Sequence, residues 1–264
     1  MSSIGWVNDR ARKVSRIAVL LSIGGLLAAL LAAAGSGMDA FTFRTGFVIL
    51  RYAFYAAIAG GLLSIVAFVM ARRSETRVGR ANLFAFIVAA LFVSYLSVHI
   101  VNARRAPAIH DVATDLVDLP QYTALRVRDD NLDNIPDNGR PELVRLSPVD
   151  RWKVLHGEAY GDLRALRLPV SRDEAMSRVE AQVRERGWDI ARVDRRAGIV
   201  EATATSRFFR FKDDIVVRVR DDRERSGGSV IDMRSISRVG GSDIGVNAAR
   251  IRRFLADLKA DQGA

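Results

Sequence analysis

Charged residues are absent from three long stretches near the N-terminus, and this absence constrains the fold more than any other feature. Residues 17–35, 52–71 and 81–103 contain no Asp, Glu, Lys or Arg. Each stretch reaches roughly the 20 residues that a helix needs to cross a hydrocarbon core of about 30 Å. No uncharged stretch of similar length follows them. The sequence therefore predicts a membrane domain followed by a soluble domain.

The two predicted domains meet near residue 105. The membrane domain covers 1–105, with spans of about 17–35, 47–71 and 81–103, and the soluble domain covers 106–264. The first span has an alternative interpretation as a secretory signal peptide, because a basic segment precedes it and three alanines end it. The soluble domain leaves the cytoplasm under either interpretation.

Basic residues concentrate in the membrane half. Residues 1–105 hold 12 Lys and Arg against three Asp and Glu, whereas residues 106–264 are nearly balanced. Most of these basic residues precede the first span or lie between the second and third, namely Arg10, Arg12, Lys13, Arg16, Arg72, Arg73, Arg77 and Arg80. Positively charged loops remain cytoplasmic. We therefore expect a bacterial inner-membrane protein with a cytoplasmic N-terminus, a periplasmic soluble domain and no nucleic-acid partner.

Small residues recur every four positions in the first span. Gly24, Ala28 and Ala32 form one row, and Gly25, Ala29 and Ala33 form a second. Small side chains at this spacing let helix backbones approach closely. The rows predict packing among the three spans, with self-association of two chains as the alternative.

The soluble half divides at about residue 168. Five of the six prolines lie between Pro107 and Pro148, so we expect residues 106–168 to be largely irregular. Ser171 and Glu174 form a capping-box pattern that predicts a helix over 171–186. Four segments with alternating apolar residues predict strands at 188–194, 198–206, 214–221 and 229–238.

A second apolar stripe predicts a last helix from Ser242. The fold class is therefore α+β, with residues 169–261 arranged as helix, four strands and helix. The sheet is expected to be mainly antiparallel, because its strands alternate between apolar and polar residues. Both helices should pack on the apolar face.

Several classes of enzyme are excluded by composition and motif. The chain has no Cys, which removes disulfides, thiolate metal sites and cysteine nucleophiles. It has no serine-hydrolase elbow, zinc-protease helix, phosphate-binding P-loop or dinucleotide fingerprint. We therefore expect a non-enzymatic function without a cofactor.

The most suggestive segment for binding runs from Arg234 to Arg250. Two arginines share a strand face, and Gly240-Gly241 then turns towards a helix N-terminus, where free amides favour an anion. Convergent arginines suit a phosphate or carboxylate. The alternative is a polar network that locks the last helix to the sheet. The candidate ligand-binding residues are Arg234, Arg238, Ser242, Asp243, Asn247 and Arg250, with Lys212 and Asp214 next to them.

Two further groups of residues give weaker indications of a functional site. His110, Asp111 and Asp115 could bind a metal or exchange protons in an envelope hydrolase. Alternatively, Asp111 or Asp115 could cap a short helix. Asp129, Asn131 and Asp133 have calcium-loop spacing, but Arg140 occupies the position of the bidentate glutamate. We therefore expect an acidic surface loop there and no metal.

Basic and aromatic residues alternate in the segment from Arg207 to Lys212. This pattern suits a lipid interface, but Phe209 and Phe211 are rather expected in the sheet core.

Several of these stretches resemble the DUF1499 family, a group of uncharacterised bacterial and plastid proteins. The resemblance rests on IHDVATD at 109–115, LPQ at 119–121, EATATS at 201–206, FKDD at 211–214 and above all RSISRVGGSDIGVNAARI at 234–251. It covers about 106–260, and spans before the domain resemble the membrane-attached bacterial members. Residues 126–158 depart from it, since 129–140 resembles an enlarged loop. The resemblance implies a domain boundary but no activity.

Together these patterns favour an integral membrane protein whose periplasmic domain binds an anionic or amphipathic ligand, such as a lipid head group, or serves as an envelope accessory module. An envelope hydrolase and a purely structural scaffold are the alternatives. The expected partners are the lipid bilayer and an anionic envelope ligand.

Overall fold

The computed structural model describes residues 3–73 and 79–261. The described chain forms two compact units. The first comprises the N-terminal helices together with Arg207–Arg210, and the second begins at Asn102 and contains the remaining residues.

Three long helices form most of the first unit, and each contains one of the predicted spans. They are α1 (Ser3–Gly37), α2 (Phe43–Arg73) and α3 (Arg80–Arg105). All three are long and apolar enough to cross a membrane. They extend beyond the uncharged stretches, because arginine and lysine are good helix formers. Arg77, which the sequence places in the basic loop, lies outside the described residues.

Small residues line the contact between α1 and α2. A Cβ added to Gly25 would lie 2.8 Å from the carbonyl oxygen of Ala53, and one added to Gly60 would lie 2.7 Å from the amide nitrogen of Ser22. The backbones are therefore too close for larger side chains at these points. The row that contains Gly25 and Ala29 is buried here, whereas Gly24 is exposed. Packing between spans is thus confirmed for one predicted row, and self-association remains a prediction.

The second unit contains an antiparallel sheet of six strands, not the predicted four. The strands are β1 (Asp111–Ala113), β2 (Leu166–Leu168), β3 (Asp189–Asp194), β4 (Ile199–Thr205), β5 (Lys212–Asp221) and β6 (Ser229–Ser237). Their order is β1-β6-β5-β4-β3, and β2 pairs with the same edge of β6 as β1. The two additional strands have three residues each, too few to show an alternating pattern.

Four helices accompany the sheet, whereas two were predicted. They are α4 (Pro141–Val144), α5 (Pro148–Tyr160), α6 (Arg172–Glu185) and α7 (Val246–Ala260). Most of the region 106–168 lies outside helices and strands, but it also contains the unpredicted elements β1, α4, α5 and β2. The two helices were missed because Pro141 and Pro148 lie in their first turns, where proline is tolerated. The expected cap of α6 is present, since Ser171 Oγ accepts from the amide of Glu174.

Helices α6 and α7 pack on the apolar face of the sheet. Met176, Val179, Ile251 and Phe254 are fully buried there, in one core with the apolar strand residues Val200, Ile215, Val217, Ile231 and Met233. The opposite face, which we call the polar face, carries Glu201, Thr203, Asp214, Arg218, Asp232, Arg234 and Arg238.

The polar face is covered rather than solvated. A segment between β1 and α4 crosses it, and Tyr122 donates to the carbonyl oxygens of Asp214 and Arg234 at 2.8 and 3.3 Å. Glu201 and Asp232 beneath it are completely buried. The alternation in the sequence thus distinguishes an apolar face from a polar face, but most of the polar face is also buried.

Candidate functional site

Asp111 and Arg234 form a buried ion pair at the centre of the polar face. Arg234 Nε and Nη2 donate to the two carboxylate oxygens of Asp111 at 3.0 and 2.7 Å. The side chain of Arg234 is 6% exposed and that of Asp111 is 0% exposed. Arg234 also donates to the carbonyl oxygen of Pro120 and lies over the Tyr122 ring. The structure therefore brings together one residue of the hydrolase group and one of the arginine segment, in a pair with no access to solvent.

His110 and Asn131 extend this buried network. His110 Nε2 lies 3.2 Å from Asn131 Oδ1, and Asn131 donates to Asp111 Oδ2 at 2.6 Å. Burial, followed by the charge of Arg128, lowers the pKa of His110. Because Asp111 already accepts from two side chains, it is not free to act as a base towards a substrate.

Asp115 has a different position from the other two residues of the hydrolase group. Its Oδ1 accepts from the amides of Val117 and Asp118 at 2.9 Å each. Its Oδ2 lies 3.9 Å from both Arg218 and Arg220. No hydrogen bond joins it to His110 within the described ranges, so the structure offers no acid–base pair from these residues.

The helix N-terminus after the glycine turn is occupied by a carboxylate of the chain itself. Helix α7 starts one residue after Gly245, whose φ is 84°. Asp243 accepts from the amide of Gly245 at 2.9 Å and from that of Asn247 at 2.6 Å. Burial raises the pKa of Asp243, although both amides oppose the shift. Ser242 donates to the carbonyl oxygen of Pro107 at 3.0 Å. The expected anion cradle is therefore filled by Asp243.

Asn247 and Arg250 attach α7 to the sheet. Asn247 is fully buried, donates to the carbonyl oxygen of His110 and to Ser237, and accepts from Ser235. Arg250 donates to Asp213 at 2.5 Å and also contacts Asn247. These contacts match the alternative interpretation of the arginine segment as a network that locks the last helix in place.

Arg238 differs from Arg234 and Arg250 because it remains accessible. It lies at the end of the polar face and donates through Nε and Nη2 to Asp214 at 2.8 Å each, and through Nη2 to Thr203 at 3.2 Å. Its side chain is 42% exposed. The hydrogen bond with Asp214, aided by its charge, raises the pKa of Arg238. Lys212 is opposite Arg238 across the strands, since the Arg238 amide donates to the Lys212 carbonyl oxygen at 3.0 Å.

A cavity of about 230 Å³ lies beside Arg238. It is lined by Tyr122, Arg126, Val127, Arg128, Asp129, Asp214, Ile236 and Arg238. Arg128 is held by Asp130 and by the carbonyl oxygen of Gly240 at 2.6 Å each. Three arginines against two aspartates give the lining a positive balance, and Ile236 and Val127 make part of it apolar. This cavity is the candidate functional site.

The calcium-loop residues do not converge on a common point. Asn131 turns inward to Asp111, whereas Asp129 is exposed and pairs with Arg126 at 2.7 Å. Asp133 is also exposed. Among residues 3–73 and 79–261, no three His, Asp or Glu side chains are placed to hold a metal ion.

Phe209 and Phe211 were expected in the sheet core, but both are only half-buried. Phe209 and Phe211 are not among the buried core residues, and Phe208 is exposed. Within the first unit, the rings of Phe209 and Phe47 are 4.9 Å apart.

Sequence reasoning missed Tyr122, Arg128 and Glu201. Tyr122 directly follows the LPQ stretch at 119–121, and Glu201 is the first residue of the EATATS stretch at 201–206. Both stretches carried the family resemblance, but neither residue was assigned to a site. An isolated charged residue in an otherwise apolar strand, such as Glu201, is the signal that a buried partner exists. Its carboxylate accepts from the amides of Thr123, Ala124 and Leu125. Burial would raise the pKa of Glu201, but these bonds and that of the Thr123 hydroxyl lower it.

A family model described as "Protein of unknown function (DUF1499)" matches residues 111–258. That range begins at β1 and ends within α7, so it coincides with the sheet and the helices around it. No curated protein matches the chain.

Proposed function

The chain belongs to the DUF1499 family, and we propose that it is a membrane-anchored binding protein whose soluble domain holds an anionic head group in the Arg238 cavity. The ligand chemistry is a phosphate or carboxylate attached to a partly apolar body, as in a lipid head group or a free organic phosphate. We further propose that the N-terminus is cytoplasmic and that the domain is periplasmic, on the strength of the basic loops.

The unused hydrogen-bond donors of Arg238 carry this proposal. A guanidinium has five N–H donors, and the contacts of Arg238 with Asp214 and Thr203 use only those on Nε and Nη2. Nη1 retains two donors on a side chain that is 42% exposed. An anion could bind there without displacing Asp214, and charge-assisted bonds of this type are among the stronger ones.

The lining of the cavity supports an amphipathic anion. Arg128 and Arg126 add positive charge, whereas Ile236 and Val127 offer apolar contact to the remainder of the ligand. The size suits a head group rather than a whole lipid. Arg234 and Arg250 have no part in the proposal, because their donors are directed to buried partners.

The proposal is tested by titrating the full-length protein in detergent with glycerol phosphate, measured by isothermal titration calorimetry. Arg238→Gln is expected to weaken binding about tenfold, which corresponds to about 1.4 kcal/mol. Arg252→Gln is a matched control, because Arg252 is also 42% exposed and also makes a two-point pair with one aspartate, Asp162. Equal affinities of the two variants would overturn the proposal.

Native mass spectrometry of the same preparations separates the two sources of the head group. An anionic lipid that co-purifies with the wild type and is lost in Arg238→Gln indicates a lipid ligand. Binding of glycerol phosphate without such a lipid indicates a soluble anion.

A further inference from the structure

A second cavity lies at the other end of the polar face, where β1 and β2 pair in tandem with one edge of β6. β1 pairs with Arg234–Ile236 and β2 pairs with Ser229–Ile231, so Asp232 lies opposite the interval between them. The cavity has a volume of about 500 Å³, within the range typical of small-molecule sites. It does not share a lining residue with the Arg238 cavity.

Three of its lining residues, His156, Tyr160 and Asp232, are buried and have an atom without a hydrogen-bond partner in the described part of the chain. These atoms are His156 Nδ1, the Tyr160 hydroxyl oxygen and Asp232 Oδ1, on residues that are 2%, 6% and 0% exposed. Buried polar atoms in proteins are nearly always paired. The residues that carry these atoms line the cavity, where a bound molecule could supply the missing partners.

The hydrogen bonds of His156 define what it offers. The amide of Ala113, on the outer edge of β1, donates to His156 Nε2 at 3.2 Å. Nε2 is therefore the acceptor of the ring, and in the neutral imidazole the proton is on Nδ1. Burial lowers the pKa of His156, which favours the neutral ring. His156 thus presents an N–H donor.

Arg164 supplies a cation for an acidic group. Its one described contact is with the carbonyl oxygen of Leu163 at 2.7 Å, and no carboxylate pairs with it within the described residues. The other two lining arginines already have carboxylate partners, Arg220 with Asp232 at 2.6 Å and Arg167 with Asp222 at 2.8 Å.

Two carboxylates that line this cavity, those of Asp232 and Asp115, would bind hydrogen-bond donors of a ligand. Asp232 Oδ1 is unpartnered, and Asp115 Oδ2 makes only long contacts of 3.9 Å with arginines. Alcohol groups of the ligand would satisfy them, whereas a simple carboxylate would not. Gly157 and Gly161 leave part of the wall without side chains.

We propose that this cavity binds a small hydroxylated carboxylate, of the size of a sugar acid, with its acid group on Arg164 and His156 and its hydroxyl groups on Asp232 and Asp115. This site is independent of the proposed function at Arg238 and uses a different ligand chemistry.

The test is a calorimetric titration of the full-length protein in detergent with three probes. Glucuronate has both required groups, glucose has only the hydroxyl groups, and acetate has only the acid. We expect glucuronate to bind at least tenfold more tightly than either other probe. Absence of glucuronate binding, or equal binding of all three probes, overturns the proposal.

Variants locate the binding. Arg164→Gln alters an exposed side chain without a carboxylate partner, so it should fold normally and weaken glucuronate binding about tenfold. Arg253→Gln, on an exposed position of α7 that does not line the cavity, is the matched control and should bind as the wild type does. If Arg164→Gln also binds as the wild type does, the acid group is not on Arg164 and the assignment is wrong.

Discussion

Arg234 lies in β6, and Arg238 follows directly after that strand, on the same face of the sheet. The two arginines nevertheless have different environments. Both make a two-point ion pair with an aspartate of a neighbouring strand, Asp111 and Asp214 respectively. Arg234 is 6% exposed, whereas Arg238 is 42% exposed. The segment that contains Tyr122 covers the first pair and leaves the second open. Two positions that are equivalent in the strand pattern therefore have different roles. The covered residue, Arg234, is a structural centre, whereas the uncovered residue, Arg238, belongs to the candidate binding site.

The largest loss of stability is expected when the buried pair of Asp111 and Arg234 is disrupted. Asp111→Asn leaves the charge of Arg234 buried without a counter-charge, and removing one partner of such a pair costs about 3–5 kcal/mol. We expect a loss of this size in the free energy of unfolding, measured by urea denaturation of the full-length protein in detergent. A loss below about 1 kcal/mol would contradict the view that this pair is a structural centre.

The next largest effect is expected at Glu201, which holds the covering segment over the sheet. Glu201→Gln replaces one acceptor oxygen with an NH₂ group that faces the amides of residues 123–125, at a cost of about 1–3 kcal/mol. The same denaturation experiment measures it. Glu185→Gln, an equal change of charge at an exposed position of α6, should change stability little.

The contribution of Glu201 to the stability of the domain also depends on pH. Because its pKa is lowered in the folded state, its contribution is complete above the unfolded value of about 4.3. The contribution is lost as the pH falls through the folded pKa. Unfolding measured between pH 7 and pH 3 should therefore show a smaller acid-induced loss of stability for Glu201→Gln than for the wild type. Parallel curves for the two proteins would contradict this assignment.

The smallest effect on stability is expected at the open pair. Arg238→Gln removes a half-exposed ion pair, and such pairs contribute at most about 1 kcal/mol. Ligand binding, in contrast, should respond more strongly to this variant than to any change at Arg234 that leaves the domain folded. A stability loss as large as that of Asp111→Asn would show that Arg238 has the same structural role as Arg234.

Local patterns predicted the parts of the fold that depend on local interactions. The helix expected at 171–186 is Arg172–Glu185, and the strand expected at 198–206 is Ile199–Thr205. Capping, apolar stripes and alternation are all local. β1 and β2 were missed because a three-residue strand is specified by its partner, β6, and not by its own sequence.

The candidate site was predicted in part, for the same physical reason. Arg238 was found because alternation places it on the same strand face as Arg234, and Asp214 was found because it ends the FKDD stretch at 211–214. Arg128 and Tyr122 come from the covering segment, and their distance from Arg238 depends on how that segment crosses the sheet. The sequence also did not indicate that Asp243 occupies the helix N-terminus, since a carboxylate there is equally compatible with an exposed cap.

The pairing of β1 with β6 has a consequence for the order of folding during synthesis. Asp111 and Arg234 are separated by 123 residues, so β1 leaves the ribosome long before its partner. At about 5–20 residues per second, the interval is roughly 6–25 s. During this interval, β1 and the covering segment lack their hydrogen-bond partners on β6. Contacts between residues so far apart in sequence slow folding. The domain therefore reaches its native topology only after β6 has been translated, and a nascent chain truncated before Ser229 should remain sensitive to protease.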